Sequence, residues 1–290
     1  MKFDKNTKIL IVGLGLIGGS YAKALSDNGY FVGAIDKKKS SVEYALKNGL
    51  IQVGETSVKK DFVKDFDLIV FALYPHDFIN WIREYQSSIK SGALITDVTG
   101  VKSFVVENVQ KILRGDLEFV GAHPMAGKEV SGVENADPEI FVGANYIVTP
   151  TKKNTDENVQ AVKDLGRALG FERISSLSPE EHDETVGFLS HLTHCIAVSL
   201  MVSKKSHHLA EYTGDSFRDL TRIAKINDEM WSELFLANKD ELLKQMDLFE
   251  EKFNQLKEDI KNDNREKIRE TLRESTARRK VFDKDAKETK

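Results

Sequence analysis

The sequence predicts an α/β region followed by an all-α region, and three observations support that prediction. Up to about residue 177, short apolar, β-branched runs alternate with segments of helical periodicity, a pattern typical of a doubly wound parallel sheet. A glycine-rich turn joins the first run to the first helical segment. From residue 180 to residue 290 there is no proline, and the glycines are Gly187 and Gly214, so this long segment is predicted to be helical.

Six runs read as buried strands, and the segments between them carry apolar residues at helical spacing. The strands are predicted at residues 8–12, 31–36, 67–73, 92–98, 117–122 and 145–150, with a further candidate at 172–178. Three of the intervening helices are predicted within residues 78–89, 101–113 and 157–169.

A helix-start signature marks the change from the first region to the second. Ser178 is followed by Pro179 and, three residues after the serine, by Glu181, which matches a capping box with proline at the first helical position. We therefore predict two domains, residues 1–177 and residues 178–290.

Composition describes an ordinary soluble protein. The 290 residues carry a formal net charge of −4, which gives no reason to expect nucleic acid or an anionic membrane surface as a partner. No apolar stretch is expected to approach the roughly 20 residues that span a bilayer. The single cysteine, Cys195, and a start without a signal-like segment predict a reducing, cytoplasmic location.

The glycine turn is the first chemical signal. Gly13, Gly15 and Gly18 follow the first strand at GxGxxG spacing, and Leu16 and Ile17 begin the helix. In such a motif the first glycine permits a tight turn, the second lets a pyrophosphate approach the backbone, and the third allows close packing of helix on strand. The motif predicts a Rossmann-type dinucleotide-binding domain, with phosphates at the helix N-terminus.

The end of the second strand indicates which dinucleotide binds. Asp36 lies about 20 residues beyond the turn, where a carboxylate accepts hydrogen bonds from a ribose and repels a 2'-phosphate. NAD is therefore favoured over NADP, although Lys37, Lys38 and Lys39 follow and would offset that repulsion unless they form a solvated turn. Leu73 and Thr99, at the ends of two later strands, are further candidates for cofactor contact.

A second polar cluster follows the strand predicted at residues 117–122. The segment GAHPMAGKEVSG places His123, Lys128 and Glu129 after this strand. Ligands of open α/β sheets bind beyond the carboxyl ends of the strands. We therefore expect His123 to face the bound dinucleotide.

The helical region contains two groups of candidate site residues. Ser190, His191 and His194 lie in SHLTH, where two histidines three residues apart occupy neighbouring faces of one turn. We expect no metal there, because no third ligand stands at suitable spacing, and at least one of the histidines is expected to be a core residue. In FRDLTRIAKINDEMW, Arg218 and Arg222 stand beside apolar residues, and one inward-facing arginine would bind a substrate carboxylate through its planar fork, unless this segment is a solvated charged face.

Two helices of this region carry more apolar surface than one chain readily covers. Residues 185–202 are apolar on nearly every face and are predicted to be buried. Between residues 242 and 260, apolar side chains recur at spacings of four and three and form a single stripe. We expect a homodimer formed through this region, with a monomeric helical bundle as the alternative.

These motifs together resemble one enzyme family. GLGLIGGS, DVTGVK, GAHPMAGKEVSGVENA, SHLTH and FRDLTRIAKINDEMW, in this order, resemble the prephenate and arogenate dehydrogenases of tyrosine biosynthesis, over roughly residues 8 to 253. The resemblance implies an N-terminal Rossmann domain, a C-terminal helical dimerisation domain, and NAD-dependent oxidative decarboxylation of prephenate to 4-hydroxyphenylpyruvate. The alternatives are an arogenate dehydrogenase, a β-hydroxyacid-type dehydrogenase or imine reductase, and a protein that senses NAD without turnover.

The resemblance also assigns roles to individual residues. His123 matches the family's catalytic histidine and Arg222 the arginine that holds a substrate carboxylate. His194, with Ser190 nearby, matches residues that line the substrate pocket, and Glu129 falls where some members keep an acidic residue.

Two positions depart from the family. Where members often have serine, this chain has Gly100, and Thr99, Ser103 or water is left to supply the hydroxyl. Lys128 replaces a small hydroxyl residue and is predicted to affect how the substrate side chain is bound.

Overall fold

The computed structural model describes residues 1–205 and 208–282, which fall into two compact units, Met1–Lys239 and Asp240–Lys290. The last eight residues of the charged C-terminal tail lie outside the described part. The boundary between these compact units lies at residues 239 and 240, not at residues 177 and 178. Compact units are not the same as domains, so the predicted domain boundary stays a prediction.

The first unit begins with alternating strands and helices. In chain order they are β1 (Lys8–Val12), α1 (Leu16–Asp27), β2 (Phe31–Ile35), α2 (Lys39–Lys47), β3 (Val53–Glu55), α3 (Lys60–Val63), β4 (Leu68–Phe71), α4 (Pro75–Tyr85), β5 (Leu94–Asp97), α5 (Ser103–Ile112), β6 (Glu118–Phe119), β7 (Gly121–Pro124), β8 (Asn145–Thr149), α6 (Asp156–Ala168) and β9 (Arg173–Ser176).

Helices make up most of the rest. They are α7 (Pro179–Val186), a π-helical turn (Gly187–Leu192), α8 (Thr193–Val202), α9 (Asp215–Thr221), α10 (Asp228–Ala237), α11 (Lys239–Lys261) and α12 (Arg265–Arg279). The predicted start of this series is confirmed, because Ser178 Oγ accepts from Glu181 N at 3.1 Å while Glu181 Oε2 accepts from Ser178 N at 2.8 Å.

Six strands form one parallel sheet in the order β3-β2-β1-β4-β5-β6. Alternate residues of β1 enter opposite cores: Ile9 and Ile11 join one apolar cluster, while Leu10 and Val12 join the other. The strand order reverses direction between β1 and β4, which creates a crevice at the carboxyl ends of these two strands. The predicted doubly wound fold is confirmed.

The strand predicted at residues 117–122 is in fact two strands in two sheets. β6 ends at Phe119 on the edge of the parallel sheet, and β7 starts at Gly121 in a second sheet of order β7-β8-β9, where it runs antiparallel to β8. The chain changes sheet at Val120, whose amide donates to Ile95 O at 3.0 Å. Because both pieces are apolar, hydrophobicity alone gave no sign of the break, and His123 lies within a strand instead of beyond one.

The helical segment Pro179–Val202 departs from two expectations. Its most apolar window has a mean hydropathy of 1.5, so by length and composition this segment is long enough to cross a membrane, and the expectation that no apolar stretch approaches that length is wrong. Only 28% of the window is buried. The prediction of a buried helix is therefore also wrong for the single chain: Phe188 is 55% exposed and Val202 is 73% exposed.

Candidate functional site

The glycine turn after β1 has the geometry that dinucleotide binding requires. Gly13 has φ of +99°, and a Cβ placed on it would lie 2.4 Å from Ala72 O. A Cβ on Gly18 would lie 1.9 Å from Gly13 O, so α1 packs against the turn at a distance that excludes any side chain. A Cβ on Gly15 would meet no atom within 4 Å. The open space at the second glycine is where a pyrophosphate would approach.

The groups around this turn fit a dinucleotide whose adenine-side ribose carries no 2'-phosphate. α1 begins at Leu16 with Gly15 as its N-cap, and no side chain caps its first amides, which include those of Leu16 and Ile17. Asp36 follows β2, where its Oδ2 accepts from Leu14 N at 2.6 Å and its Oδ1 from Lys38 N at 2.7 Å. The carboxylate is thereby fixed beside the glycine turn.

The three lysines after Asp36 are exposed, and Lys39 pairs with Glu43 one turn along α2 at 3.4 Å. This arrangement agrees with a solvated basic turn.

The other two predicted cofactor residues differ in their surroundings. Leu73 follows β4 and reaches the turn, because its Cδ2 would lie 3.0 Å from a Cβ on Gly13. Thr99 is buried, and its hydroxyl bonds to Asp97 Oδ2 and, at 3.0 Å, to Val101 O. Because that hydroxyl is bound inside the protein, it is not available to replace the serine hydroxyl missing at Gly100.

His123 is positioned by the carboxyl end of β5. Asp97 Oδ1 accepts from Ala122 N at 3.0 Å, which fixes β7 one residue before the histidine. A Cβ placed on Gly100 would lie 3.8 Å from His123 Nε2 and 3.5 Å from Leu234 of α10. The imidazole and Leu234 therefore both lie close to Gly100, which follows β5.

The environment of His123 favours the neutral imidazole. Burial lowers the pKa of His123 well below its usual range, and the neighbouring His182, Lys102 and His191 lower it further. A neutral imidazole at physiological pH has a free lone pair and can accept a proton from a substrate hydroxyl.

Behind His123 lies a buried polar network that the sequence analysis missed. His123 Nδ1 is 2.9 Å from His182 Nε2, and His182 Nδ1 is 2.8 Å from Asp183 Oδ1. Lys102, whose side chain is fully buried, pairs with Asp97 at 2.6 Å. Little in the sequence signals this network, because His182 and Asp183 lie among the charged residues of α7, PEEHDETV.

The two histidines of SHLTH have different roles. His191 is 1% exposed, lies 3.2 Å from Asn238 Nδ2, and has its pKa lowered to about 4 by burial, so it is the expected core histidine. His194 stacks on Trp231 with ring centroids 3.7 Å apart, and its Nδ1 lies 2.8 Å from Ser190 O. In the described ranges 1–205 and 208–282, no three His, Cys, Asp or Glu side chains form a metal-binding group.

Arg222 and Glu129 come together from distant parts of the chain. Arg222 Nη1 donates to Glu129 Oε1, although 93 residues separate them. Both also act on His194, since Glu129 raises its pKa and Arg222 lowers it, while burial lowers that pKa more strongly. Lys128 bonds instead to Asp137 at 2.6 Å. The structure thus groups Arg222, Glu129 and His194, and directs Lys128 to a separate ion pair.

A Rossmann sheet with an open glycine turn at its switch point defines a dinucleotide-binding protein, and a neutral imidazole close to Gly100 is the kind of base that a dehydrogenase uses. Comparison with known proteins identifies the family. The prephenate dehydrogenase nucleotide-binding domain matches residues 21–173, and the prephenate dehydrogenase dimerization domain matches residues 178–274. The chain belongs to the prephenate dehydrogenase family.

Individual relatives agree with this membership. The chain is 35% identical over 249 residues to the prephenate dehydrogenase of Bacillus subtilis, covering 82% of this chain and 66% of the relative. The crystal structure of prephenate dehydrogenase from Aquifex aeolicus, in complex with hydroxyphenyl propionate and NAD+, superposes with a TM-score of 0.87 at 34% identity and covers 96% of this chain and 98% of that one. Synechocystis arogenate dehydrogenase gives a TM-score of 0.82 at 25% identity, covering 95% and 100%.

The predicted family and fold are thereby confirmed, and the match to the nucleotide-binding domain agrees with the predicted dinucleotide cofactor. The chain spans just under two thirds of the Bacillus subtilis relative and nearly the whole of the Aquifex aeolicus structure. No comparison tests the individual site residues, which remain predictions.

Proposed function

We propose that this chain converts prephenate to 4-hydroxyphenylpyruvate with NAD as the oxidant. The observation that carries the proposal is the neutral His123, whose Nε2 faces the end of β5 within a family fold that binds a dinucleotide. NAD, when bound, supplies the acceptor for the hydride that leaves the hydroxyl-bearing carbon of the substrate ring.

His123 accepts the proton of the ring hydroxyl and later returns it. As hydride leaves the carbon, Nε2 takes the hydroxyl proton, and the C–O bond gains double-bond character. The bond to the ring carboxylate then breaks, carbon dioxide leaves, and the electron pair completes the aromatic ring. The proton returns to the phenolate oxygen, so the reaction consumes no net proton. Aromatisation drives the sequence, and a well-placed base contributes typically about 10²- to 10⁴-fold.

Arg222 is the proposed carboxylate-binding residue. Its guanidinium already donates from Nη1 to the carboxylate of Glu129, and this contact supports a carboxylate-binding role. On substrate binding, a substrate carboxylate would take over one side of that fork. His194, held on Trp231, lies beside Arg222 and Glu129 and, with Ser190, forms the proposed wall of the substrate pocket.

The remaining assignments follow the predictions. Gly13, Gly15, Leu16, Ile17, Gly18, Asp36, Leu73 and Thr99 are proposed to surround NAD. For Thr99 this contact involves the backbone or methyl group, because its hydroxyl is bound internally. Lys128, bound to Asp137, is proposed to influence the substrate side chain only if it leaves that ion pair.

Arogenate is the alternative substrate, and it differs from prephenate only by an amino group in place of the side-chain keto group. The test follows absorbance of the reduced nicotinamide with each substrate, using NAD and NADP in turn. We expect turnover with prephenate and NAD, and weak use of NADP because Asp36 repels a 2'-phosphate. Faster turnover with arogenate would reassign the substrate, and no turnover with either would reject the proposal.

A homodimer is the proposed assembly. The described helical segments expose many large apolar side chains, among them Val202 at 73%, Leu236 at 73% and Phe253 at 59%. Such surface is rarely left in water by a monomer. A second copy would also cover the apolar segment Pro179–Val202 without any membrane. Sedimentation equilibrium at micromolar concentration tests this, and monomer alone would contradict it.

The cytoplasm is the proposed location. Cys195 is the one cysteine in the sequence, a usage that fits a reducing compartment. Fractionation of cells that produce the full chain is expected to recover it with the cytoplasmic proteins.

A further inference from the structure

A series of two hydrogen bonds leads from His123 at the candidate site into the protein interior. They begin at His123 Nδ1, pass through His182 at 2.9 Å, and end at Asp183 at 2.8 Å. His182 is fully buried and Asp183 is 2% exposed, so bulk water does not compete for either side chain. His182 therefore depends on His123 and Asp183 for its hydrogen bonds.

The carboxylate of Asp183 is the fixed end of this series. Its Oδ1 accepts from Lys102 N and its Oδ2 from Ser103 N, both at 2.8 Å. These amides begin α5, where the helix dipole also favours a negative charge. In addition, Asn238 Nδ2 donates to Asp183 O at 2.8 Å and holds its main chain. A charged carboxylate held in this way can only accept hydrogen bonds.

The fixed acceptor determines where the protons lie on both imidazoles. Because Asp183 only accepts, His182 must carry its proton on Nδ1, and neutral His182 then presents a lone pair at Nε2. His123 must in turn donate from Nδ1, which leaves the lone pair on its Nε2. Burial lowers the pKa of His182, which favours the neutral form of that ring.

We propose that His182 and Asp183 are positioning residues that hold His123 in the tautomer whose Nε2 accepts the substrate proton. This inference rests on the proposed function and adds two residues to it. His182 acts through His123, and Asp183 acts through His182.

The surroundings of His123 explain why this support matters in this chain. Gly100 has no side chain, although a Cβ there would be only 3.8 Å from His123 Nε2. The bond that orients the ring therefore comes from the Nδ1 side. The other charged or titratable neighbours of His123 are Lys102, which pairs with Asp97, and His191. Asp183 is thus the carboxylate to which the positive charge formed on His123 is linked, through two hydrogen bonds.

Asp183 also caps α5, so a loss of activity alone would not separate positioning from folding. The test therefore uses His182 and the full chain saturated with NAD. His182→Leu removes the acceptor for His123 Nδ1. His182→Gln places an amide oxygen near the position of Nε2 and keeps that acceptor. Glu184→Gln changes an exposed carboxylate on the same helix and is the matched control.

Two readouts are combined. Nitrogen-15 NMR of the imidazoles reports the tautomer of His123, assigned by comparison with His123→Asn. We expect the Nδ1–H form in the wild type, the control and His182→Gln, and a substantial Nε2–H population in His182→Leu. Steady-state kinetics should show kcat reduced about 10²-fold or more in His182→Leu and less than about tenfold in His182→Gln, with KM for NAD unchanged in both.

An Nε2–H tautomer in the wild type would overturn the proposal even if neither His182 variant folds. So would a His182→Leu protein that keeps the wild-type tautomer and kcat within twofold, or a His182→Gln protein as impaired as His182→Leu. If the wild type turned over neither prephenate nor arogenate, the proposed function would fail, while the NMR result would still decide how His123 is held.

Discussion

In the sheet region, residues 1–177, most large apolar side chains are buried. In the helical region, the described residues from 178 onward, most of them are exposed to solvent. The sheet region buries whole strands, such as Leu68–Phe71, on both faces of the parallel sheet. In α8, by contrast, Ala197 is the one buried residue. The sheet region therefore buries most of its own apolar side chains, with Leu234 of α10 joining one of its two clusters, whereas the helical region presents surface that suits a second copy.

The site combines residues of both regions. His123 comes from the sheet region, and His182, His194 and Arg222 come from the helical region. The proposed base and its supporting residues His182 and Asp183 thus lie in well-buried surroundings, while the proposed substrate-binding residue Arg222 lies on a segment whose burial is incomplete in one chain.

The largest expected effect tests the assignment of the base to the sheet region. His123→Asn should reduce kcat/KM for prephenate by roughly 10²- to 10⁴-fold, because the ring hydroxyl loses its proton acceptor. Steady-state kinetics measures the loss, and an unchanged circular dichroism spectrum and thermal midpoint serve as the control. A rate within twofold of the wild type would remove His123 from the mechanism.

The next largest effect tests whether the exposed apolar surface of the helical region, and not that of the sheet region, forms the dimer interface. Met201→Glu, at a position of α8 that is 47% exposed, should weaken dimerisation on the order of a hundredfold or more, because each copy would bury an unpaired carboxylate. Leu46→Glu, at a position of the sheet region that is 41% exposed, is the matched control and should leave the dimer intact. Sedimentation equilibrium compares them, and equal effects would contradict the division between the regions.

A smaller effect is expected at Arg222, the proposed substrate-binding arginine. Arg222→Ala should raise KM for prephenate about ten- to hundredfold, since a charge-assisted hydrogen bond contributes roughly 1.5 to 3 kcal/mol. Affinity for NAD should change little, because the proposed role of Arg222 concerns the substrate carboxylate. Kinetics with prephenate and a fluorescence titration with NADH measure the two separately. Equal losses in both would indicate a structural arginine.

The smallest effect concerns stability and pH. The pKa of His191 is about 4 in the folded chain and about 6.5 in an unfolded one, so the unfolded state binds more protons between these values. The free energy of unfolding should therefore fall as pH drops below about 6.5, with His191 accounting for about 1 kcal/mol at pH 5.5. Urea unfolding at pH 7.5 and 5.5 measures this. His191→Gln should show a weaker pH dependence, and an identical one would contradict the assignment.

Local patterns predicted much of the fold. The glycine turn and the capping box at Ser178 were predicted correctly because each depends on residues within a few positions of one another. The transfer of the chain between sheets at Val120 was not predicted, because β6 and β7 are equally apolar and only tertiary pairing distinguishes them.

Site residues that lie in a sequence motif could be predicted. Those that come together only through contacts between distant parts of the chain could not. His123 stood out in its motif, whereas its partner His182 lies 59 residues later and no spacing rule connects the two. Lys102 was visible in DVTGVK, but its complete burial against Asp97 depends on the packing of the sheet.

The π-helical turn at Gly187–Leu192 joins α7 to α8 and separates Asp183, before it, from His194, after it. Such a turn accommodates one extra residue, and one residue corresponds to about 100° of helix rotation. Asp183, before the turn, meets the amides of α5, while His194, after it, stacks on Trp231. Removing a single residue from this turn would rotate α8 and carry His194 off the indole without disturbing the carboxylate. Backbone winding, as well as side-chain identity, thus sets the angle between the carboxylate of Asp183 and the imidazole of His194.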